Sequence, residues 1–283
     1  MRTRYSSRLA TDMRRLESSA LEHRPLRQED ADALYRNHPD VPRNHLAGCP
    51  ACGKNNGYGI DGTVALPDGV WRCNCRDQLQ RQKHYLDAGI GETYHYLCWD
   101  DFNGDPGAGG FVRGYCDDLA SNVYAGRGIY LHSRMCGTGK TFMAAMVAKA
   151  SVMAGYPTYM TTFADMCASL KAGWRDAEFD AWYRRKVDGA RVLVVDDLGK
   201  EMMGVQGFSN SFAAQTFDSL LRTRAQQGRV TVVTSNMDLD GLAAGYGQPC
   251  RSLVKECMVD VPVGGEDYRE RRQPRYVGSR RVW

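Results

Sequence analysis

Along the second half of the chain, short apolar runs alternate with longer segments whose apolar positions recur at helical spacing. Ile129–Leu131 is the first run; Thr158–Thr162, Val192–Val195 and Val230–Val233 follow, and each predicts a buried strand bounded by polar or turn residues. Between them, Phe142–Val152, Phe163–Trp182 and Phe212–Gln226 predict helices. The first of these has no polar stripe, so it is expected to pack on both sides. A further helix over residues 111–125 leads into the first strand. Strands alternating with helices predict an α/β fold built on a doubly wound parallel sheet.

Upstream the pattern changes. Residues 1–45 are rich in Arg, Asp and Glu, with Leu and Ala spaced for one or two helices. They suit a solvated amphipathic element or a partner-binding arm. A charged helix over Arg76–Leu86, a Gly89-Ile90-Gly91 break and an aromatic stretch ending at Phe102 come next. Asn103-Gly104-Asp105-Pro106-Gly107 is turn chemistry. It divides an N-terminal region, 1–106, from a larger domain, 107–270, and a basic tail, 271–283, follows.

The polar residues after the strands carry the chemistry. Ile129–Leu131 runs into a loop ending Cys136-Gly137-Thr138-Gly139-Lys140-Thr141, and a helix follows. Strand, glycine-rich loop and helix form a phosphate cradle: backbone N–H groups turn onto one anion and the helix N-terminus adds its positive dipole end. Lys140 is placed for the β- and γ-phosphates, and Thr141 for Mg²⁺. The full pattern wants a glycine at position 134, where this chain has Arg134. Two carboxylates, Asp196 and Asp197, end the strand Val192–Val195, at the sheet edge where α/β proteins bind ligands. Asp196 is assigned to Mg²⁺ and Asp197 to the attacking water. Asn236, after the next strand, is placed to reach the γ-phosphate or that water.

Composition adds a metal and narrows the class. The 283 residues, 25% charged with a net charge of +4, are those of a globular protein and permit a nucleic-acid partner without demanding one. No apolar run approaches the roughly 20 residues of a membrane span. With ten cysteines and no apolar secretory segment, metal and free thiols are expected, and the cytoplasm is the expected compartment. Cys49, Cys52, Cys73 and Cys75 form two close pairs around a hairpin-like stretch, which suits a closed, structural zinc site. The other six default to core packing. Lys171, Arg175, Arg184, Arg185 and Lys186, beside Trp174, Trp182 and Tyr183, form either a solvated face or a single-strand contact. The tail, with Arg271, Arg272, Arg275, Arg280 and Arg281, is expected to be mobile.

Together these motifs resemble the AAA+ ATPases of the DnaC/DnaI helicase-loader and IstB group, of phage or prophage type. The resemblance runs from about Cys49 to Arg269. It rests on the cysteine pairs, Gly137-Thr-Gly-Lys-Thr141, Val195-Asp-Asp-Leu-Gly-Lys-Glu201, Val233-Thr-Ser-Asn236 and Gly265-Glu-Asp-Tyr-Arg269. It implies ATP bound between self-associated subunits and Asn236 as the sensor. It also implies an N-terminal zinc region docking on a replicative hexameric helicase, and single-stranded DNA along the basic helical region. The group's Ser-Arg-Leu finger stands here as Arg251-Ser252-Leu253, making Arg251 the candidate to act on a neighbour's γ-phosphate, with Arg269 the other candidate. The resemblance equally covers an IstB-like regulator of a transposase. Outside the group stand a small-molecule phosphotransferase and a module holding ATP as a structural ligand.

Overall fold

The computed structural model describes residues 63–66, 69–72, 84–95, 97–173, 176–200, 211–268, 275–277 and 280–282. The chain divides into two compact units, one of residues 1–87, 91–96 and 153–155, the other of 88–90, 97–152 and 156–283. In the first, β1 (Thr63–Leu66) and β2 (Gly69–Arg72) pair antiparallel, in register from Thr63 opposite Arg72 to Leu66 opposite Gly69. The hairpin falls between the two cysteine pairs in sequence. Cys49, Cys52, Cys73 and Cys75 themselves lie outside the described residues, as do residues 1–45.

The second unit is an α/β layer structure. Its main sheet has five strands, β3 (Gly128–His132), β4 (Thr158–Thr162), β5 (Val192–Leu198), β6 (Val230–Ser235) and β7 (Met258–Pro262). They stand in the order β4-β5-β6-β3-β7, every pairing parallel. Central parallel strands are covered on both faces, so they consist of continuous apolar runs. Ile129, Tyr130, Leu131 and Val192–Val195 are accordingly sealed from solvent.

The helices are α1 (Pro106–Asp117), α2 (Leu119–Tyr124), α3 (Lys140–Met153), α4 (Phe163–Ala172), α5 (Ala177–Tyr183), α6 (Ser211–Gln226), α7 (Leu239–Tyr246) and α8 (Gln248–Cys257). α3 is buried from Met143 through Ala148, matching its lack of a polar stripe. Two expected helices are broken. The segment 111–125 divides at Asp118, where buried Asn122 donates to the Tyr115 carbonyl at 3.1 Å. Phe163–Trp182 divides at Gly173, where the Phe179 ring takes the space of a side chain and Asp176 caps α5. α5 then continues into a π-helical turn, Arg184–Asp188. The tail, expected to be mobile, contains a short antiparallel hairpin of β8 (Arg275–Val277) and β9 (Arg280–Val282).

One buried arginine ties the segment that follows α5 to the sheet. Arg224 of α6 is 2% exposed. It donates to Thr231 Oγ1 at 2.9 Å, to the carbonyls of Val187 and Ala190 at 3.1 Å each, and to Val230 at 2.6 Å. Burial pushes its pKa down to about 9, which leaves it charged at neutral pH.

Candidate functional site

The carboxyl ends of β3, β5 and β6 converge at the point where the strand order reverses, the usual ligand position in an open α/β sheet. β3 leads into the loop 133–139, and α3 starts at Lys140. Gly137 and Gly139 have φ of +70° and +92°, which turn successive N–H groups to one side and which side-chain-bearing residues rarely adopt. Both are also closely covered. A β-carbon on Gly139 would lie 2.8 Å from the Phe102 ring, and one on Gly137 would overlap the Asp267 carboxylate. Phe102 belongs to an aromatic cluster with Phe142 (centroids 5.3 Å apart) and Trp99 (6.1 Å). Asp105 caps α1 through the N–H groups of Gly107 and Ala108, and takes a third N–H from Gly264 at 2.7 Å. The Gly264 bond is the largest cause holding its carboxyl below the usual range.

Lys140 is only 6% exposed, with Nζ turned back onto the Met135 carbonyl (2.9 Å) and Thr138 Oγ1 (3.4 Å). Thr141, the next residue, places its hydroxyl on the Asp196 carboxylate. The phosphate loop and the acidic end of β5 are thereby joined by a hydroxyl and a carboxylate, the donor set a magnesium ion bound with nucleotide requires. Burial raises the Asp196 pKa, opposed by hydrogen bonds from Thr234 and Thr141.

Asp196 and Asp197 lie within β5, at a bulge. Val195 pairs with Val233, but the next partner of Ser235 is Leu198, so β5 carries one extra residue. Asp197 absorbs it with φ +58°, the lone non-glycine positive φ among the described residues. Thr234 fills the gap: its hydroxyl donates to Asp196 Oδ1 at 2.6 Å and accepts the Asp197 N–H at 2.8 Å. Ser235 repeats the device one step on, donating to the Leu198 carbonyl at 2.9 Å. The Asp197 carboxylate forms an ion pair with Lys200.

Asn236 Nδ2 stands 3.9 Å from Cys136 Sγ, which brings the end of β6 against the loop. Cys136 is therefore an exposed loop residue, unlike the core thiols Cys167 and Cys250. Arg134 needs no left-handed backbone; its 85% exposed side chain pairs with Asp238, the N-cap of α7, at 2.8 Å. Arg251, on α8, is not among the residues gathered at the loop. It pairs with Asp240 of α7 at 3.1 Å, and its Nε is buried without a partner.

Thr234 and Lys200 fall inside quoted motifs and Asp105 and Phe102 within or beside the 103–107 turn, but none of the four has a function assigned from the sequence. A hydroxyl one strand over from a carboxylate pair was the visible signal for Thr234. Phe102 and Asp105 gave none, because a turn composition hides what it packs against. Among the described residues no cluster of three or more His, Cys, Asp or Glu is arranged to hold a metal by itself, and no helix is long and apolar enough to cross a membrane.

The model of the family described as IstB-like ATP binding protein matches residues 128–275, just over half of the chain. The chain belongs to the IstB-like ATP-binding family. In this IstB-like ATP-binding protein the matched span opens at β3 and covers the glycine-rich loop, both carboxylates and Asn236. No curated protein matches the chain. The crystal structure of the DnaC helicase loader is similar at 20% identity over 62% of this chain and 100% of that one, with a TM-score of 0.52. The crystal structure of DnaI is similar at 20% identity over 61% of this chain and 93% of that one, with a TM-score of 0.50. These likenesses place the IstB-like unit in the same fold.

Proposed function

We propose that the chain is an ATP-hydrolysing replication protein that loads a replicative hexameric helicase onto single-stranded DNA. The observation that carries the ATPase reading is the junction of Thr141 with Asp196 beside a buried Lys140. The loader reading is supported by the DnaC helicase loader's fold.

In this reading the N–H groups of Cys136–Thr141 and Lys140 hold the phosphates. Thr141 and Asp196 hold Mg²⁺, which neutralises charge developing on the transferred phosphoryl group. Asp197, released from Lys200, orients the attacking water, and Asn236 registers the γ-phosphate. Arg251 acts on the neighbouring subunit's nucleotide after leaving Asp240, so self-association through the ATPase domain completes the site; Arg269 is the other candidate for that role. Residues 1–106, with structural zinc on Cys49, Cys52, Cys73 and Cys75, dock on the helicase; 107–270 form the ATPase and 271–283 a basic tail.

Exposed Arg184 and Arg185 give the DNA path its charge. The aromatic rings there are engaged with one another: Trp182 packs on Phe179 at 5.6 Å and edge-on against Tyr159 at 6.0 Å.

The test is ATP turnover with and without single-stranded DNA and the host's replicative helicase, recording complex size in parallel. Stimulated turnover with a stable complex is expected, and Lys140→Ala should abolish it. Turnover without helicase association would refute the loader reading and favour an IstB-like regulator of a transposase. Normal ATP binding and turnover by Lys140→Ala would refute the site.

A further inference from the structure

After β7 the chain crosses the phosphate loop as a strap, Gly264-Gly265-Glu266-Asp267-Tyr268. Backbone N–H groups along it tie it to the sheet, to Asp105 and to the loop. The Val263 N–H donates to the His132 carbonyl at 2.7 Å, extending the sheet, and the Gly264 N–H donates to Asp105 at 2.7 Å. The third, from the Tyr268 N–H to the Gly137 carbonyl, is the longest at 3.2 Å and falls on the loop itself. Between the sheet end and the loop end lies Gly265, with φ +100°. The strap thus runs from the sheet at Val263 to the loop at Tyr268.

What it carries to the loop is a negative charge. The Asp267 carboxylate touches Gly137 so closely that a β-carbon there would overlap it. Gly137 stands in the run of N–H groups, Cys136–Thr141, that is to receive a polyphosphate. Carboxylate and phosphates would stand well within the Debye length, about 8 Å at physiological salt, so their repulsion is not screened away. A site evolved only for tight binding would place a cation or a neutral donor at this point.

We propose that Asp267 is a further binding-site residue: an internal anion that competes with the phosphates for the loop and sets a low affinity for ATP. Nucleotide that enters displaces the Asp267–Tyr268 end of the strap, with Gly264–Gly265 as the hinge. Loop occupancy is thereby transmitted to the chain that follows Tyr268. This rests on the ATP-site reading above and adds to it which residue limits occupancy.

The test is a fluorescence titration of the full chain with the N-methylanthraniloyl derivative of ATP and Mg²⁺, comparing wild type, Asp267→Asn and Asp267→Glu. Asp267→Asn is expected to bind at least about tenfold tighter, and Asp267→Glu, which keeps the charge, to stay near wild type. The ratio between wild type and Asp267→Asn should shrink from about 0.01 M to about 0.1 M salt, as the Debye length falls from about 30 to about 10 Å. A merely structural role would not produce that salt dependence. Thermal unfolding checks each variant, and Asp267→Ser replaces Asp267→Asn if the latter does not fold. If wild type binds and Asp267→Asn binds no tighter, the inference falls and the ATP site stands. If no folded variant binds, the ATP-site reading fails and takes the inference with it.

Discussion

Replacing Thr234 by valine removes one hydroxyl and leaves the shape of the side chain, so it isolates what that hydroxyl does at the bulge. Two bonds disappear: the one donated to Asp196 at 2.6 Å and the one accepted from the Asp197 N–H at 2.8 Å. A hydrogen bond to a charged group is worth about 1.5–3 kcal/mol, and an unpartnered buried N–H costs about 1–3. Asp197 is half-buried, so the lower end applies to its N–H. The expected loss is about 3 kcal/mol, a large part of the roughly 5–15 kcal/mol by which domains are stable. Thr234→Ser keeps the hydroxyl and should cost only the methyl, about 1 kcal/mol. Urea unfolding reads both as a lowered midpoint at unchanged slope. The reasoning is refuted if valine costs less than about 1 kcal/mol, or if serine costs as much as valine.

Other outcomes follow from the same geometry. Burial raises the Asp196 pKa, so whatever stability it lends is present below its ordinary value of 3.8 and lost as pH rises; at neutral pH its charge opposes folding. Asp196→Asn should therefore abolish ATP turnover yet raise the melting temperature, and a lowered one would contradict this. Arg224→Leu strands three carbonyls and the Thr231 hydroxyl, so a loss of about 3 kcal/mol or more is expected in denaturant unfolding, with faster hydrogen exchange over Arg184–Asp188. Burial pushes the thiols of Cys116 and Cys250 from 9.0 to about 12, so the stability they supply is complete below pH 9.0 and lost as pH rises to about 12. Arg224, pushed down to about 9, works in the opposite direction over the same range. The Cys116→Ala/Cys250→Ala double variant should therefore gain on wild type in urea melts between pH 9 and 11; a constant difference would refute the assignment.

Most of the parallel sheet was legible because apolar runs such as Val192–Val195 have few other uses, and four of its strands fall where those runs lie; β7, which alternates buried and more exposed residues, was not expected. The loop and the acidic pair could be singled out as neighbours because the residue types and spacing that phosphate and metal binding would require are restrictive, and the fold brings Thr141 to Asp196. The bulge was not. Its signal is a mismatch in pairing between β5 and β6, and pairing is a property of two strands that one strand's pattern cannot express. The break at Gly173 was missed for a related reason: the Phe179 ring that requires it arrives from six residues further along. Asp267 and Phe102 press on the loop from segments far away in sequence, one on each side of it. Phe102 reads only as the end of an aromatic stretch and Asp267 only as part of a short motif, and only the fold says what they cover.

The strand order has a consequence for how the protein is made. β3, which carries the phosphate loop, has as its partners β6 and β7, and 97 residues separate His132 from Val230. At a synthesis rate of about 5–20 residues per second, β3 leaves the ribosome roughly 5–20 s before its first partner exists. Throughout that interval Ile129, Tyr130 and Leu131, sealed in the finished sheet, have nothing to pair with. β4 and β5 complete each other earlier and supply a platform, but the loop's strand joins only when β6 emerges between them. The nascent chain therefore passes through a stage in which an apolar strand is a ready partner for any other exposed edge, and holdase chaperones are expected to bind it there, at residues 128–132.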